Sequence, residues 1–367
     1  MSAVLVWGYS DLKRSIDRRD HRCKGRHNPM SRLKPGKLPP ALLQRLLSTN
    51  VTADPRVIVG PAVGEDAAII DMGERYLIAK SDPITFASDA IGYYAVVVNA
   101  NDIATRGGQP KWFLATLLLP EHTTSEALVE AIFAQIAQAC ATYGIALIGG
   151  HTEVTYGLDR PILSGHMLGE VEPAALVTTG GAQVGDVLLL TKGICLEGAS
   201  IIARERECDL KRRGVPEAII LRAKNLLFDP GISVVRDAHI AVRAGRIHAM
   251  HDPTEGGLAM AIHELSCAAH VGVAIDRDQI PILEEAALLC RIYGLDPLGT
   301  IASGALIIAA PPGDAARVQQ ALQTNGIRCA VIGRVLAPSE GVLLKNGREL
   351  QPMPRYVHDE ITRLFTE

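Results

Sequence analysis

Strand and helix signals alternate in both halves of this 367-residue chain, which predicts an α/β, or mixed α+β, protein of two domains. Three observations carry this. Short apolar runs at Tyr76–Ala79, Trp112–Leu119 and Val187–Leu190 read as strands. Between such runs lie stretches with helical spacing, the clearest with Leu128, Ile132, Ile136 and Cys140 at every fourth position. Residues 173–186 are small, turn-rich and poor in large apolar groups, and they separate the halves. The expected division is an arm over 1–35, a first domain over 36–172, a second over 173–345 and a tail over 346–367.

Residues 1–29 are polar and without period, with seven Lys or Arg against three Asp. They read as a disordered basic arm or as upstream sequence included by a wrong start, Met30 being the alternative. Pro39-Pro40 opens a short helix, Ala41–Leu47, with Leu42, Leu43, Leu46 and Leu47 on its apolar side. The turn from Gly60 to Ile70 leads into a strand, and Tyr76–Ala79 is a second, ending at Lys80-Ser81-Asp82. Over Ala90–Arg106, Val96-Val97-Val98 favours strand, but the length and the stop at Gly107-Gly108 favour helix, which we adopt. Trp112–Leu119 is a strand closed by Pro120. Thr124 and Ser125 can cap the helix that runs to Tyr143, and Gly144 stops it. Strand Ile145–Ile148 is followed by Gly149-Gly150-His151-Thr152-Glu153-Val154, and Ile162–Gly169 is a further strand.

In the second half Val187–Leu190 is a strand and Gly198–Glu207 a helix. Pro230–Ala244 contains another helix. His251–Gly257 is an acidic turn backed by a helix over Leu258–Ala269. Ala302–Ala309 is a core strand with Ser303-Gly304 at its start. Helix Asp314–Thr324, strand Ala330–Val335 and a polar tail follow.

Composition excludes several roles. Aromatics make up only 4% of residues, too few for base-stacking surfaces, and the net charge of −3 argues against a nucleic-acid or membrane partner. No apolar run approaches the roughly 20 residues needed to span a bilayer. The seven cysteines show no CxxC or Cys/His zinc spacing. Cys140, Cys267, Cys290 and Cys329 sit among Ala, Ile and Leu, as small core residues of a cytoplasmic protein do.

The chemistry is expected from acids placed just beyond apolar runs. Glu65 and Asp66 lie between Gly64 and the run Ala67–Ile70. Asp82 follows Leu77-Ile78-Ala79, Asp102 follows Val96-Val97-Val98, and Glu153 follows Ile148-Gly149-Gly150. Asp252 precedes Pro253-Thr254-Glu255-Gly256-Gly257. Converging carboxylates make a hard-oxygen site for divalent ions carrying a polyphosphate, and Mg²⁺ suits it because it takes one or two carboxylates and keeps waters. Neither GxxxxGK[ST] nor a post-strand GxGxxG is present, and neither are GxSxG and HExxH, so a nucleotide would depend on these acids.

The ordered set Gly64-Glu65-Asp66-Ala67-Ala68, Ser81-Asp82-Pro83-Ile84, Asn101–Pro110, Gly149-Gly150-His151-Thr152-Glu153 and Asp252–Leu258 resembles the aminoimidazole-ribonucleotide-synthase-like (PurM-like) superfamily over residues 36–340. That superfamily includes selenophosphate synthase, thiamine-monophosphate kinase and the hydrogenase maturation factor HypE, and the look is nearest to HypE and its relatives. The resemblance implies two α/β domains, Mg-ATP in a cleft between them, and a homodimer whose N-terminal sheets form a barrel. It implies that Asp66, Asp82, Asp102 and Glu153 hold magnesium, with Asp66, Asp102 and Asp252 as the catalytic carboxylates. It further implies that Gly64, Lys80, Asn101, Gly149, Gly150, His151, Thr152 and Thr254 contact the nucleotide, Asn101 by supporting Asp102. Thr191-Lys192-Gly193 and Glu197-Gly198 form another candidate substrate wall.

HypE dehydrates a carbamoyl group on its own C-terminal cysteine. This sequence ends Arg363-Leu364-Phe365-Thr366-Glu367, its last cysteine is Cys329, and Glu255 stands where HypE usually has Arg. The expectation is an ATP-dependent phosphoryl-transfer enzyme acting on a separate small molecule or a protein-carried group, with a maturation partner protein. The alternatives are a selenophosphate-synthase-like enzyme, of whose reactive Cys–Lys pair Cys23-Lys24 is a faint echo, and a thiamine-monophosphate-kinase-like enzyme. From another class comes a non-catalytic nucleotide-binding scaffold.

Overall fold

The computed structural model describes Leu38 and residues 40–62, 64–84 and 89–365. The expected arm, with Cys23-Lys24, and the last two residues lie outside the described residues. Helix α1 (Pro40–Asn50) matches the Leu-rich stretch and leads into a mixed sheet of β1 (Val57–Val59), β2 (Ala68–Asp71), β3 (Tyr76–Ile84), β4 (Gln109–Pro120), β5 (Ala146–Thr155) and β6 (Ile162–Val171). Their order is β1-β2-β3-β6-β4-β5, with β4 and β5 parallel and the other pairs antiparallel. Helix α2 (Ile91–Thr105) joins β3 to β4, and α3 (Glu126–Tyr143) joins β4 to β5. Ser125 Oγ accepts from Leu128 N at the start of α3, and Gly144 closes it at φ 65°. Thr124 has a different task, donating to the Pro120 carbonyl.

A second sheet contains β7 (Val187–Thr191), β8 (Ala249–His251), β9 (Gly272–Asp276), β10 (Ile307–Ala310), β11 (Cys329–Leu336), β12 (Val342–Asn346) and β13 (Glu349–Pro352), in the order β13-β12-β9-β11-β7-β10-β8. The helices of this half are α4 (Leu196–Glu205), α5 (Glu207–Arg212), α6 (Glu217–Asn225), α7 (Val235–Ala244), α8 (Gly257–Ala269), α9 (Glu284–Tyr293) and α10 (Pro312–Thr324). Alternate residues of the central strands face two cores. Leu189, Met250 and Ile308 pack with α7 and α10, in one core with the first sheet. Leu188, Leu190, Ala249 and Ile307 pack with α8. A strand covered on both faces reads as a continuous apolar run, which is how Val187–Leu190 appears.

Helix α2 is the joint between the two sheets. Every residue in it except Tyr93 is buried. It packs on β3 and β6 of the first sheet and on α7 of the second half. A helix enclosed on all sides is apolar all round, so Val96-Val97-Val98 shows no stripe and mimics a strand. Asn101, expected to support Asp102 at the nucleotide, is used otherwise. Its amide nitrogen donates to Ile232 O at 2.8 Å, and its oxygen accepts from Val234 N at 2.8 Å.

Two expectations need larger correction. The strand expected to end at Ile148 does not stop there: β5 runs on to Thr155. The residues beyond 346 are not a polar tail. They supply β13 and a short 3₁₀ turn, Glu360–Leu364, that buries Ile361 and Leu364. Two well-spaced apolar residues are too few to register as a periodic pattern.

Asn101→Ala strips the partner from a buried N–H and a buried C=O, each worth about 1–3 kcal/mol to leave unmet. We expect a loss of roughly 2–4 kcal/mol in urea unfolding. A loss below about 1 kcal/mol would show that the 232–234 loop holds without it.

Candidate active site

Five elements bring charged groups together at the joint. The turn before β2 supplies Glu65 and Asp66. Gly64 allows this turn its φ of 90°, and a Cβ there would stand 3.3 Å from the Glu264 carbonyl. Strand β3 supplies Lys80 and Asp82, two residues apart and so on one face. Helix α2 supplies Asp102, with Arg106 four residues on, just past its last residue. The end of β8 supplies His251 and Asp252, and α8 supplies Glu264.

Lys80 Nζ lies 2.8 Å from Asp102 and 3.4 Å from Asp82. Arg106, fully buried, reaches Asp66 at 3.1 Å, Glu65 at 3.3 Å and the Thr179 hydroxyl at 2.7 Å. His251 stands between Asp66, 3.0 Å from Nδ1, and Glu264, 3.0 Å from Nε2. Asp252 differs from the others. It is 2% exposed, and neither carboxylate oxygen has a hydrogen-bond partner. Ligand atoms of Asp66, His251 and Asp252 lie within 4.8 Å of one another.

The protonation equilibria follow from this packing. Burial works to raise Asp66, but His251, Arg106 and Lys80 outweigh it and hold the carboxyl well below the usual range. Burial pushes Asp102 up against the pull of Lys80, with Asp252, Asp66 and Asp82 adding to the rise. Burial and the Asp66 charge raise Asp252 to about 6. Burial lowers His251, yet Asp66 and Glu264 carry it up to about 10. Six carboxylates (Glu65, Asp66, Asp82, Asp102, Asp252, Glu264) thus gather around three cationic groups (Lys80, Arg106, His251). Cations from outside are the simplest way to balance such a set. Asp66, Asp82, Asp102 and Asp252 offer the oxygens that Mg²⁺ prefers.

The remaining expected residues divide. Thr254 is half-buried in the loop after Asp252 and accepts from Gly257 N through its carbonyl. Gly149, Gly150, His151, Thr152 and Glu153 are all exposed on β5. Three strand spacings, about 14 Å along the sheet, separate β5 from β3. His151 and Glu153 pair with each other at 3.1 Å. Gly150 has a structural reason to be glycine, since a Cβ would lie 1.9 Å from the Ala115 carbonyl oxygen on β4.

The candidate substrate wall is interior. Lys192 Nζ donates to the carbonyls of Ser233 and Gly304 and pairs with Asp237 at 3.3 Å. Burial lowers its pKa, against the pull of Asp237. Glu197 is 6% exposed, and its Oε2 has no partner. Burial raises it to about 7, opposed by hydrogen bonds from Ser303 and assisted by Asp359.

Sequence reasoning missed His251, Arg106 and Glu264 as parts of the cluster. The available signal was His263-Glu264 inside the apolar helix around Ala259-Met260-Ala261-Ile262. A charge there needs a partner.

The two halves match a known pair of domains: the AIR synthase related protein N-terminal domain over residues 64–171 and the C-terminal domain over residues 183–345. The chain belongs to the AIR synthase related family. Its relatives include a putative hydrogenase expression/formation protein of Methanocaldococcus jannaschii, 30% identical over 82% of this chain and 88% of that protein. The carbamoyl dehydratase HypE of Rhodobacter capsulatus is 28% identical over 75% of this chain and 80% of its own length. A crystal structure of the hydrogenase maturation protein HypE in complex with ATP superimposes with a TM-score of 0.65 at 24% identity, covering 86% of this chain and 96% of that one, which shows the shared two-part fold.

Glu197 gives a pH test. A carboxyl raised on folding is neutral in the native state and ionised in the unfolded one between the two values. Stability therefore falls as pH rises from 4.5 to about 7. Glu197→Gln has no such titration. It should match the parent near pH 4 and exceed it by up to about 3 kcal/mol near pH 8 in urea unfolding. A difference that stays constant with pH would refute this.

Proposed function

We propose that the chain is a Mg-ATP-dependent phosphoryl-transfer enzyme of HypE type that activates an amide- or carbonyl-type oxygen. The observation that carries this is Asp252: a buried carboxylate without a partner, beside Asp66 and close to the pair Lys80–Asp102. In this reading Asp66, Asp82, Asp102 and Asp252 hold the metal, and Lys80, Arg106 and His251 keep the acids ionised and oriented. Bound Mg²⁺ would offset charge on the transferring phosphoryl group. The protein's own part is to position these oxygens and to exclude water, since phosphoryl transfer asks for little else. The turn at Gly64 lies against the Glu264 carbonyl, and Thr254 follows Asp252 by two residues in the chain.

The acceptor is proposed to be a separate small molecule or a group on a maturation partner. Cys329 is buried in β11, and burial pushes its thiol up to about 12, which does not suit that thiol to carry a group. The free cysteines fit a reducing cytoplasm. Among the described residues no helix is long and apolar enough to cross a membrane.

Phosphorus NMR of the protein with Mg-ATP and a panel of carbamoyl and amide compounds tests the reading. ADP and phosphate should form in the presence of one of these compounds, and Asp252→Asn should slow this roughly 100-fold. AMP plus phosphate would favour the selenophosphate type. Unperturbed ATP resonances would remove the nucleotide reading.

We also propose a homodimer through β5. This edge strand is exposed from Ala146 to Val154 and carries Leu147, Ile148 and Val154, with Tyr156 beyond it. An unpaired apolar edge is a template for another chain. Sedimentation should give a dimer that Ile148→Lys with Val154→Lys dissociates. A monomeric parent would refute this.

A further inference from the structure

Away from the acid cluster, His248 is half satisfied. Its Nδ1 lies 2.9 and 3.0 Å from the two oxygens of Asp186, which also accepts from Gln183 N. A carboxylate can only accept, so Nδ1 carries a proton. The side chain is nine-tenths buried, and Nε2 has no hydrogen-bond partner. A buried polar atom left so is costly, and a ligand that bonds to it removes the cost. His248 lines a cavity of about 440 Å³, a size common among small-molecule sites. One wall is the linker between β6 and β7, with Thr178, Gly181 and Gln183. The other is the end of α7 and the loop over 245–248, with Arg246. Among the described residues that line it none is acidic, and the exposed Arg246 guanidinium makes no ion pair. The backbone N–H groups of Arg246 and Ile247 likewise take no partner among the described residues.

We infer that this cavity binds a small phosphate ester through Arg246 and His248. A guanidinium offers a planar fork of N–H donors that matches two phosphate oxygens. Nε2 asks for a partner that donates to its lone pair when the ring is neutral and accepts from its N–H when the ring is charged. A phosphate monoester loses its second proton at about pH 6, so near neutrality it presents both O–H and O⁻. A carboxylate there would only accept. The cavity has room for an organic group besides the phosphate. None of its lining residues belongs to the acid cluster, so the inference stands apart from the metal–nucleotide reading. The linker touches both places, since Thr179 accepts from Arg106 at 2.7 Å.

The test uses the full chain with ¹⁵N-labelled histidine, free of metal and nucleotide, titrated with inorganic phosphate and with ribose 5-phosphate. The expected result is saturable movement of one imidazole's nitrogen resonances, those missing from His248→Gln, with ribose 5-phosphate binding more tightly than inorganic phosphate. Arg246→Gln changes an exposed side chain and should weaken binding about 10- to 100-fold. Asp66→Asn, in the acid cluster, should leave binding as it is. Circular dichroism confirms that each variant folds, and Arg246→Gln with the parent's imidazole signals decides the matter even if His248→Gln does not. No binding, binding that leaves the His248 nitrogens unmoved, or equal affinity in Arg246→Gln overturns the inference. Binding lost in Asp66→Asn overturns it too, because the phosphate would then lie among the acids. Equal affinity for the two probes removes the ester.

Discussion

The cost of burying carboxylates governs the joint between the two sheets. An ionised acid removed from water without a counter-charge is far more expensive than any one hydrogen bond is worth. Glu65, Asp66 and Asp102 are therefore each held against a cation, and the cations are shared. Arg106 spans Glu65, Asp66 and Thr179, while Lys80 spans Asp82 and Asp102. Breaking a buried pair on one side typically costs about 3–5 kcal/mol, several times the net worth of an ordinary hydrogen bond. Electrostatics, more than hydrogen bonding, thus fixes how the Glu65 turn, β3, α2 and β8 meet.

Helix α2 turns that constraint into geometry. Asp102 and Arg106 are four residues apart, about 6 Å along the axis, so one side of the chain there carries an acid and a guanidinium in fixed order. Asn101, on the adjoining face, clamps the 232–234 loop through both of its amide atoms. The loop opens α7, which packs on the same helix. A single buried helix therefore sets both the position of the second half and the placement of the acids. Neither can shift without the other.

Much of this was legible in the sequence, and the limits have physical causes. An apolar side found α1, and periodicity with caps found α3, because a helix with a solvent face must show a stripe and an end. The acids Asp66, Asp82, Asp102 and Asp252 were legible as carboxylates beyond apolar runs, and the structure brings them together. Glu153 was read by the same rule and lies elsewhere, because Gly149 and Gly150 sit within a strand rather than ending one. Gly150 is glycine on account of the Ala115 carbonyl, a contact between strands that no local pattern carries. His251 and Glu264 escaped for a similar reason: their meaning lies in Asp66, 185 residues before His251 in the chain. Burial is written locally, whereas charge partnership is written across the fold.

Asp102 and Asp252 show why the cluster reads as incomplete rather than merely acidic. Both are buried, and burial raises both. Asp102 has Lys80 at 2.8 Å. Asp252 has no hydrogen-bond partner, although at about 6 its carboxyl is mostly ionised at neutral pH. Protonation would not relieve it, since a neutral acid still needs an acceptor for its O–H. A fold selected for stability alone would place an apolar residue there, as buried ion sets often permit. Keeping the charge lowers the stability of the free protein and raises the affinity for whatever cation enters. The unpartnered carboxyl of Asp252 and the cations shared around Asp66 and Asp102 are then one feature: a set of acids that the described cationic groups do not balance.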